Sequence, residues 1–285
     1  MTRFKQYTEI NPNFINKKLK EFFIEDSIDN DITTEATQQS AQKEFAQLIA
    51  KEQLVFAGKE IVVQGFSECI INDIVNDGSQ LDKGNVIATM HGKIDIILKK
   101  ERVILNLIQR LSGIASTTHK LSKITKPYDI ELLDTRKTTP GLRLFEKFAV
   151  SIGGGTNHRF SLKEAIMIKD NHLIGNPDIL ESVSLAKSAN PNKDVQLEVD
   201  TLEQLDIALE SEASSILLDN FEPKKLPPVI KKIKSHPKGK NMYIELSGGI
   251  SANTLSNYCI HGVNGISMGA LTHNIKSKDI SLDIK

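Results

Sequence analysis

The sequence predicts an α/β protein whose second half is a parallel sheet covered by helices. Two observations carry this. From residue 130 onward short apolar runs recur, each closing on polar residues: IELLD, AIMIK, VQLEVD, SILLDN, MYIELSGG and GISMGA. Reference positions at their ends, Asp134, Lys169, Glu198, Asp219, Ser247 and Gly269, stand 35, 29, 21, 28 and 22 residues apart. Each interval holds a strand, a helix and two loops. The second observation is the helical spacing of VDTLEQLDIALESEA and SANTLSNYCIHG between the runs, the first with Asp200 or Thr201 as N-cap. Strands that are apolar throughout belong in a parallel sheet with both faces covered. A closed barrel and an open doubly wound sheet both satisfy this pattern. The barrel is favoured because nearly every run ends in a charged or polar residue, and in a barrel those ends converge on the mouth that carries the active site.

The N-terminal hundred residues are mixed. AQKEFAQLIAKEQLVFAGKEIVVQGF begins with helical spacing and turns apolar-rich around Gly58. IVNDGSQLDKGNVIATMHGK alternates strands with glycine-containing turns. ERVILNLIQRLSGIAS (101–116) has the apolar spacing of an amphipathic helix that ends near Gly113. KKIKSHPKGK (231–240) reads as a solvated loop between two elements.

The chain has 285 residues with 36 basic and 36 acidic side chains, a formal net charge of zero. That balance gives no support to a nucleic-acid or membrane-surface role, which shows as a strong basic excess. Cys69 and Cys259 lie far apart and neither belongs to a CxxC, so both are expected as reduced, buried thiols. The start, MTRFKQYTEINPNF, has no apolar run of a signal peptide, and no stretch approaches the roughly 18 apolar residues of a membrane span. A cytoplasmic location is expected.

Charge is nonetheless unevenly placed. Between Lys99 and Lys169 there are 14 Lys and Arg against six Asp and Glu. Arg136 and Lys137 directly follow a predicted strand, and His158 and Arg159 follow Gly153-Gly154-Gly155, places where loops line a site. Guanidinium groups match carboxylates and phosphates in bidentate geometry, so converging arginines imply a ligand with several anionic groups. The strand-end acids Asp170, Glu198, Asp200 and Asp219 can hold Mg²⁺ or sugar hydroxyls facing such a ligand. Asp200 reads as the cap of the following helix, which leaves Glu198 and Asp219 as the preferred functional pair. Glycines at Ser247-Gly248-Gly249 and Met268-Gly269-Ala270 let backbone N–H groups approach a phosphate. No GxxxxGK[ST], strand-following GxGxxG or GxSxG is present, against a P-loop enzyme, a dinucleotide fold and a serine hydrolase.

These residues are specific enough to name a family. DITTEAT, ERVILNLIQRLSGIAS, DTRKTTPGLR, GGGTNHR, IKDNH, LEVDTLEQL, LLDNF, ELSGGI and ISMGALTH occur in the order found in the carboxylating nicotinate-nucleotide pyrophosphorylases, or quinolinate phosphoribosyltransferases. The chain closely resembles that family. The resemblance implies transfer of the phosphoribosyl group of phosphoribosyl pyrophosphate to quinolinate with loss of CO₂, a step of NAD biosynthesis. It implies an N-terminal α/β sandwich domain (1–112) and an incomplete α/β (TIM-like) barrel domain (113–272), with the tail of about 273–285 returning to the first. It also implies a homodimer or higher oligomer, in which Arg102 completes the partner's quinolinate site.

By the same resemblance, Arg136, His158, Arg159 and Lys169 match positions that hold the quinolinate carboxylates. Lys137, Glu198 and Asp219 match positions that handle the phosphoribosyl group, the two acids with its Mg²⁺. Ser247, Gly248, Gly249 and Gly269 match the cradle of the 5′-phosphate. Two positions depart from the family pattern: Ser151-Ile152 stand where an arginine often precedes the glycine run, and Leu246 replaces a small residue. A molybdenum-transport-associated paralogue of the same fold, a phosphate-binding barrel isomerase and a non-catalytic binding module are the competing readings. The intact TRKTTPGLR and NHR set speaks against the first, and an isomerase would need an acid/base pair but not four cations around a second anionic ligand. The strand-end acids would have no purpose in the binding module.

Overall fold

The structure, a computed structural model, describes residues 3–38, 42–175 and 178–285. Its strands in chain order are β1 (Lys43–Ala50), β2 (Leu54–Val55), β3 (Ile70–Ile74), β4 (Gln80–Leu81), β5 (Val86–Lys93), β6 (Glu131–Leu133), β7 (Ile166–Ile168), β8 (Val195–Val199), β9 (Ser215–Asp219), β10 (Tyr243–Ser247), β11 (Gly265–Ser267) and β12 (Ile280–Ile284). Contacts divide the chain into two compact units. One comprises Gln6–His119, Thr139–Gly154 and Asn274–Lys285; the other comprises Met1–Lys5, Lys120–Thr138 and Gly155–His273. Residues 139–154, in the middle of the barrel sequence, thus cluster with the N-terminal unit.

The N-terminal unit is built on an antiparallel sheet in the order β12-β1-β5-β3, with β2 and β4 as a separate pair. The stretch expected to begin as a helix is β1: from Ala46 to Ala50 every second residue is buried, a period of two that the run of Ala, Gln and Leu disguises as helical. Ala41, at its start, lies outside the described residues. Gly78 and Gly84 make the turns of the following strands with φ of 86° and 91°. The C-terminal tail enters this sheet as β12, pairing antiparallel with β1.

One helix runs from Ile94 to Thr125, so Gly113 does not end it. A Cβ at Gly113 would collide with the backbone carbonyl of Lys276, so the glycine serves close approach of the returning tail. In the same unit Arg110 donates to the buried Glu146 from Nε at 2.9 Å and from Nη2 at 2.7 Å. Glu146 sits on the helix Arg143–Ile152 and also accepts the N–H of Thr139 at 3.2 Å. This ties down the TTPGLR turn. Cys69 and Cys259 are both free; Cys259 is buried and Cys69 only partly so.

The second unit contains six parallel strands in the order β7-β8-β9-β10-β11-β6. Sequence neighbours pair throughout, and the first strand, β6, closes onto the last, β11. The ring stops there: β6 and β7 do not pair, and the free edge of β6 takes an isolated parallel bridge from Thr156 instead. This is an incomplete α/β barrel. β8 is buried along its whole length, as continuous apolar runs predict, with Gln196 and Glu198 the polar exceptions.

Two helical expectations change in this unit. SANTLSNYCIHG forms only the short 3₁₀ turn Leu255–Tyr258, because Ser251 and Thr254 bond to each other and to local backbone. KKIKSHPKGK is not all loop: its first five residues end the helix Leu226–Ser235, where lysines suit the negative end of the helix dipole.

Candidate active site

The C-terminal ends of the barrel strands surround a cleft of about 790 Å³. β6 delivers Arg136 and Lys137, β9 delivers Asp219, and β10 runs into Ser247, Gly248 and Gly249. His158, Arg159, Lys169 and Gly269 line the same space. These ten expected residues are brought together, while Glu198 stands beside them in an ion pair with Lys169.

The NHR segment is aimed by Asp134, the fully buried residue after β6. Its carboxylate accepts the backbone N–H of His158 at 2.8 Å and the side-chain amide of Asn157 at 2.7 Å. Both ring nitrogens of His158 are engaged. Nδ1 accepts the N–H of Arg159 at 2.7 Å, and Nε2 lies 3.3 Å from Glu245 Oε2. A backbone N–H can only donate, so the imidazole carries its proton on Nε2, pointing at Glu245. Burial works to raise the pKa of Glu245. The interaction with His158 and the hydrogen bonds from His158 and Gln196 outweigh it, so Glu245 sits below the ordinary carboxylate value.

Arg159 is buried and donates to the carbonyl of Ala165 at 2.8 Å. Its pKa is lowered by burial first and then by the charge of Arg136. Arg136 Nε is buried with no hydrogen-bond partner among the described residues. Two mutually repelling guanidinium groups, one with an unsatisfied donor, suit an anion.

Opposite in sign is the group at the ends of β8 and β9. The pKa of Glu198 is raised, mainly by burial; Lys169 works against this, and Asp219 and Asp200 add to it. Asp200 is raised by burial and by the charges of Asp219 and Asp170. Thr201, not Asp200, caps the helix Leu202–Glu210, its hydroxyl accepting from Gln204 N at 3.2 Å. Asp200 is therefore released from the structural duty expected of it. Among the described residues no group of three or more His, Cys, Asp or Glu side chains is arranged to hold a metal ion.

After β10 the chain turns through Gly248 and Gly249 with φ of 87° and 61°. A Cβ on Gly248 would strike Asn220, whose N–H donates to Ser247 O at 3.0 Å and whose side-chain amide donates to Asp219 at 2.6 Å. A Cβ on Gly269 would stand 2.8 Å from Lys137 Cδ. That glycine leaves room for the lysine stem.

The family description "Quinolinate phosphoribosyl transferase, C-terminal domain" matches residues 114–283, and its N-terminal counterpart matches residues 31–112. The Bacillus subtilis protein named "Probable nicotinate-nucleotide pyrophosphorylase [carboxylating]" is 42% identical over 277 residues, covering 95% of this chain and 93% of its own. The chain belongs to the quinolinate phosphoribosyltransferase family. A Nicotiana glauca quinolinate phosphoribosyltransferase [decarboxylating] is 36% identical, covering 89% of this chain and 77% of its own length. The solved nicotinate-nucleotide pyrophosphorylase of Francisella tularensis superimposes with a TM-score of 0.90 at 34% identity, over 99% of this chain and all of that one.

In this quinolinate phosphoribosyltransferase family member, Arg102 is not among the residues that line the cleft. It lies on the helix Ile94–Thr125 of the N-terminal unit, with an exposed side chain 3.8 Å from Glu101. Asp134, Asn220, Glu245 and His273 also line the cleft, beyond the residues expected there from the sequence. Glu245 had a signal: it is a carboxylate at an inward position in the middle of an apolar strand. Asn220 had none, since only its φ of 57° reveals the turn that it makes.

Proposed function

We propose that the protein transfers the phosphoribosyl group of phosphoribosyl pyrophosphate to quinolinate, releasing pyrophosphate and CO₂ and forming nicotinate mononucleotide. The observation that supports this best is the Arg136–Arg159 pair with its unsatisfied Nε, facing the cleft that Asp219 also lines. A dianion fits the first group, and a sugar that develops positive charge fits the second.

Arg136, Arg159 and Lys169 take the two carboxylates, and His158, its nitrogens occupied, forms the wall that sets the ring's orientation. The ring nitrogen attacks C1′ of the ribose as the bond to pyrophosphate breaks, its electron pair leaving on the pyrophosphate. Glu198 and Asp219 stabilise the positive charge that develops on the sugar, and Lys137 neutralises phosphate charge. The bond to the carboxylate next to the now quaternary nitrogen then breaks. CO₂ departs, the electron pair stays on the ring carbon, and a proton from solvent completes the product. The quaternary nitrogen is itself the electron sink, so the residues need only hold and orient. The turn through Ser247, Gly248 and Gly249, with Gly269, presents backbone N–H groups to the 5′-phosphate.

The acids fit Mg²⁺, which takes one or two carboxylates and fills its octahedron with substrate phosphates and water. Burial first, and then the charges of Asp219 and Asp200, raise Glu198, and a cation there would favour its charged form. Glu198 and Asp219 would hold Mg²⁺, and when bound it supplies charge neutralisation for the leaving pyrophosphate. We also place the protein in the cytoplasm as a homodimer, Arg102 of one protomer reaching the partner's cleft. In support of this reading, no helix among the described residues is long and apolar enough to cross a membrane, and the Arg102 side chain is exposed.

Purified protein given quinolinate, phosphoribosyl pyrophosphate and Mg²⁺ should release CO₂ and nicotinate mononucleotide in equal amounts. No release of CO₂, or turnover of nicotinate in place of quinolinate, overturns the assignment. Mixing inactive Arg102→Ala and Arg159→Ala protein should restore some activity, and none in verified mixed dimers refutes the shared site.

A further inference from the structure

The interior of an α/β barrel is ordinarily filled by layers of branched apolar side chains. Here a polar column occupies it. Gln196, one residue into β8, donates to Glu245 Oε2 at 2.7 Å, and the same oxygen faces His158 Nε2. Glu245 and Gln196 are buried, and the column reaches the cleft through His158. At the opposite, N-terminal ends of the strands stand Glu131, Ser215 and Tyr243, the first residues of β6, β9 and β10. Tyr243 donates to Glu131 at 2.6 Å, and burial followed by that bond keeps its hydroxyl protonated.

Arg3 and Phe4 join the two ends. Arg3 Nη2 donates to Ser215 Oγ at 2.9 Å, and its guanidinium lies over the Tyr243 ring, 4.7 Å from the centroid. Phe4 lies with its ring centroid 4.6 Å from that of His158. Arg3, Phe4, Glu131, Leu133, Thr156, Tyr243 and Glu245 enclose a space with no room for a water molecule, so the contacts are direct. Nothing in the TRKTTPGLR and NHR motifs calls for this.

We propose that Arg3 and Phe4 form a plug, anchored at the N-terminal mouth of the barrel, that positions His158 and so sets the quinolinate pocket. They are positioning residues: they touch no substrate and act through the imidazole. The inference rests on the reaction assigned above. The mechanism is steric and electrostatic. The phenyl ring holds the imidazole plane in place while Asp134 and Glu245 hold its edges. Arg3 fixes the phenyl by pinning the backbone before it. On β9 the plug touches Ser215, at the strand end opposite Asp219.

The test uses the whole protein with Phe4→Leu, which keeps apolar volume but loses the ring face, beside Phe4→Tyr, which keeps the ring. Aromatic pairs of this kind correspond to about two- to tenfold in an equilibrium constant. Phe4→Leu should therefore raise KM for quinolinate by about that factor, with KM for phosphoribosyl pyrophosphate and kcat within about twofold of the parent. Phe4→Tyr should restore most of the loss. The ¹⁵N signals of the His158 ring should shift in Phe4→Leu, a readout that needs no turnover. An unchanged quinolinate KM with unshifted ring signals overturns the plug. So does a parallel rise in both KM values accompanied by lower thermal stability, which marks a purely structural role. If the parent protein itself fails to turn over quinolinate, the reaction is wrong, and the ring signals still decide the plug.

Discussion

The backbone N–H of Arg159 donates to Nδ1 of His158 at 2.7 Å, so one residue fixes the tautomer of its neighbour. The proton on Nε2 then points at Glu245, which also serves Gln196. Replacing Glu245 by leucine leaves two buried donors without partners. That should destabilise the protein by about 2–6 kcal/mol, since each orphaned buried donor costs about 1–3 kcal/mol. Glu245→Gln retains an acceptor oxygen and should cost less. Urea unfolding of the two variants checks the order, and equal losses would show that the network is not what Glu245 supplies.

Arg136 and Arg159 give the opposite signature, function without stability. Their charges oppose each other, so Arg136→Ala should leave the thermal midpoint unchanged or raise it. Quinolinate affinity should fall about 10- to 100-fold, from the roughly 1.5–3 kcal/mol of a hydrogen bond to a charged group. Calorimetry with quinolinate alone, beside a thermal melt, reads both numbers. A lower midpoint with unchanged affinity would make Arg136 a structural residue.

How far the sequence reaches follows from the same residues. The six parallel strands were legible because each is an uninterrupted apolar run ending in polar residues, and the cleft because those ends carry charge. β1 was not, since alanine and glutamine blur a period of two over eight residues. Gly113 was misread because a glycine that ends a helix and one that admits a neighbouring chain look alike until Lys276 is placed. Asp200 and Thr201 are adjacent candidates for one cap, and only the hydroxyl's geometry decides between them. Asp134, Glu245 and Asn220 act on other functional side chains, through pairings distant in sequence or a backbone angle that no motif announces.

The carboxylates make a pH prediction with two signs. Glu198 has a raised pKa, so the folded protein binds this proton more tightly than the unfolded chain does. Its contribution to stability is present at low pH and is lost as pH rises through the folded value, which lies above 4.5. Glu245 is depressed, so its contribution is present above the unfolded value and is lost as pH falls through the folded one. Glu198→Gln should flatten the mildly acidic limb of a stability–pH curve, and Glu245→Gln the more acidic limb. Saturating Mg²⁺ should flatten the Glu198 limb in the parent and leave Glu198→Gln unaffected. The same substitution should lower kcat by about 10²–10³-fold, the usual cost of losing one charge-stabilising group. An unaltered acid profile in Glu198→Gln would remove this residue from the titration.

Gly248 and Gly249 are neighbours with positive φ, yet they should tolerate alanine differently. At Gly249 a Cβ meets nothing within 4 Å, so the substitution carries only the left-handed backbone penalty of about 1–2 kcal/mol. At Gly248 the Cβ would run into the backbone nitrogen and side chain of Asn220, which cannot retreat. Asn220 donates its N–H to Ser247 O and its side-chain amide to Asp219. Gly248→Ala must therefore displace Asp219 as well as the turn. It should reduce stability more than Gly249→Ala does, raise KM for phosphoribosyl pyrophosphate and lower kcat together. The KM for quinolinate should stay near that of the parent if, as proposed, the turn serves the phosphate side of the cleft. Steady-state kinetics with each substrate varied in turn separates these effects. Equal behaviour of the two alanine variants would show that the contact with Asn220 yields, and that Asp219 is held by something other than the turn.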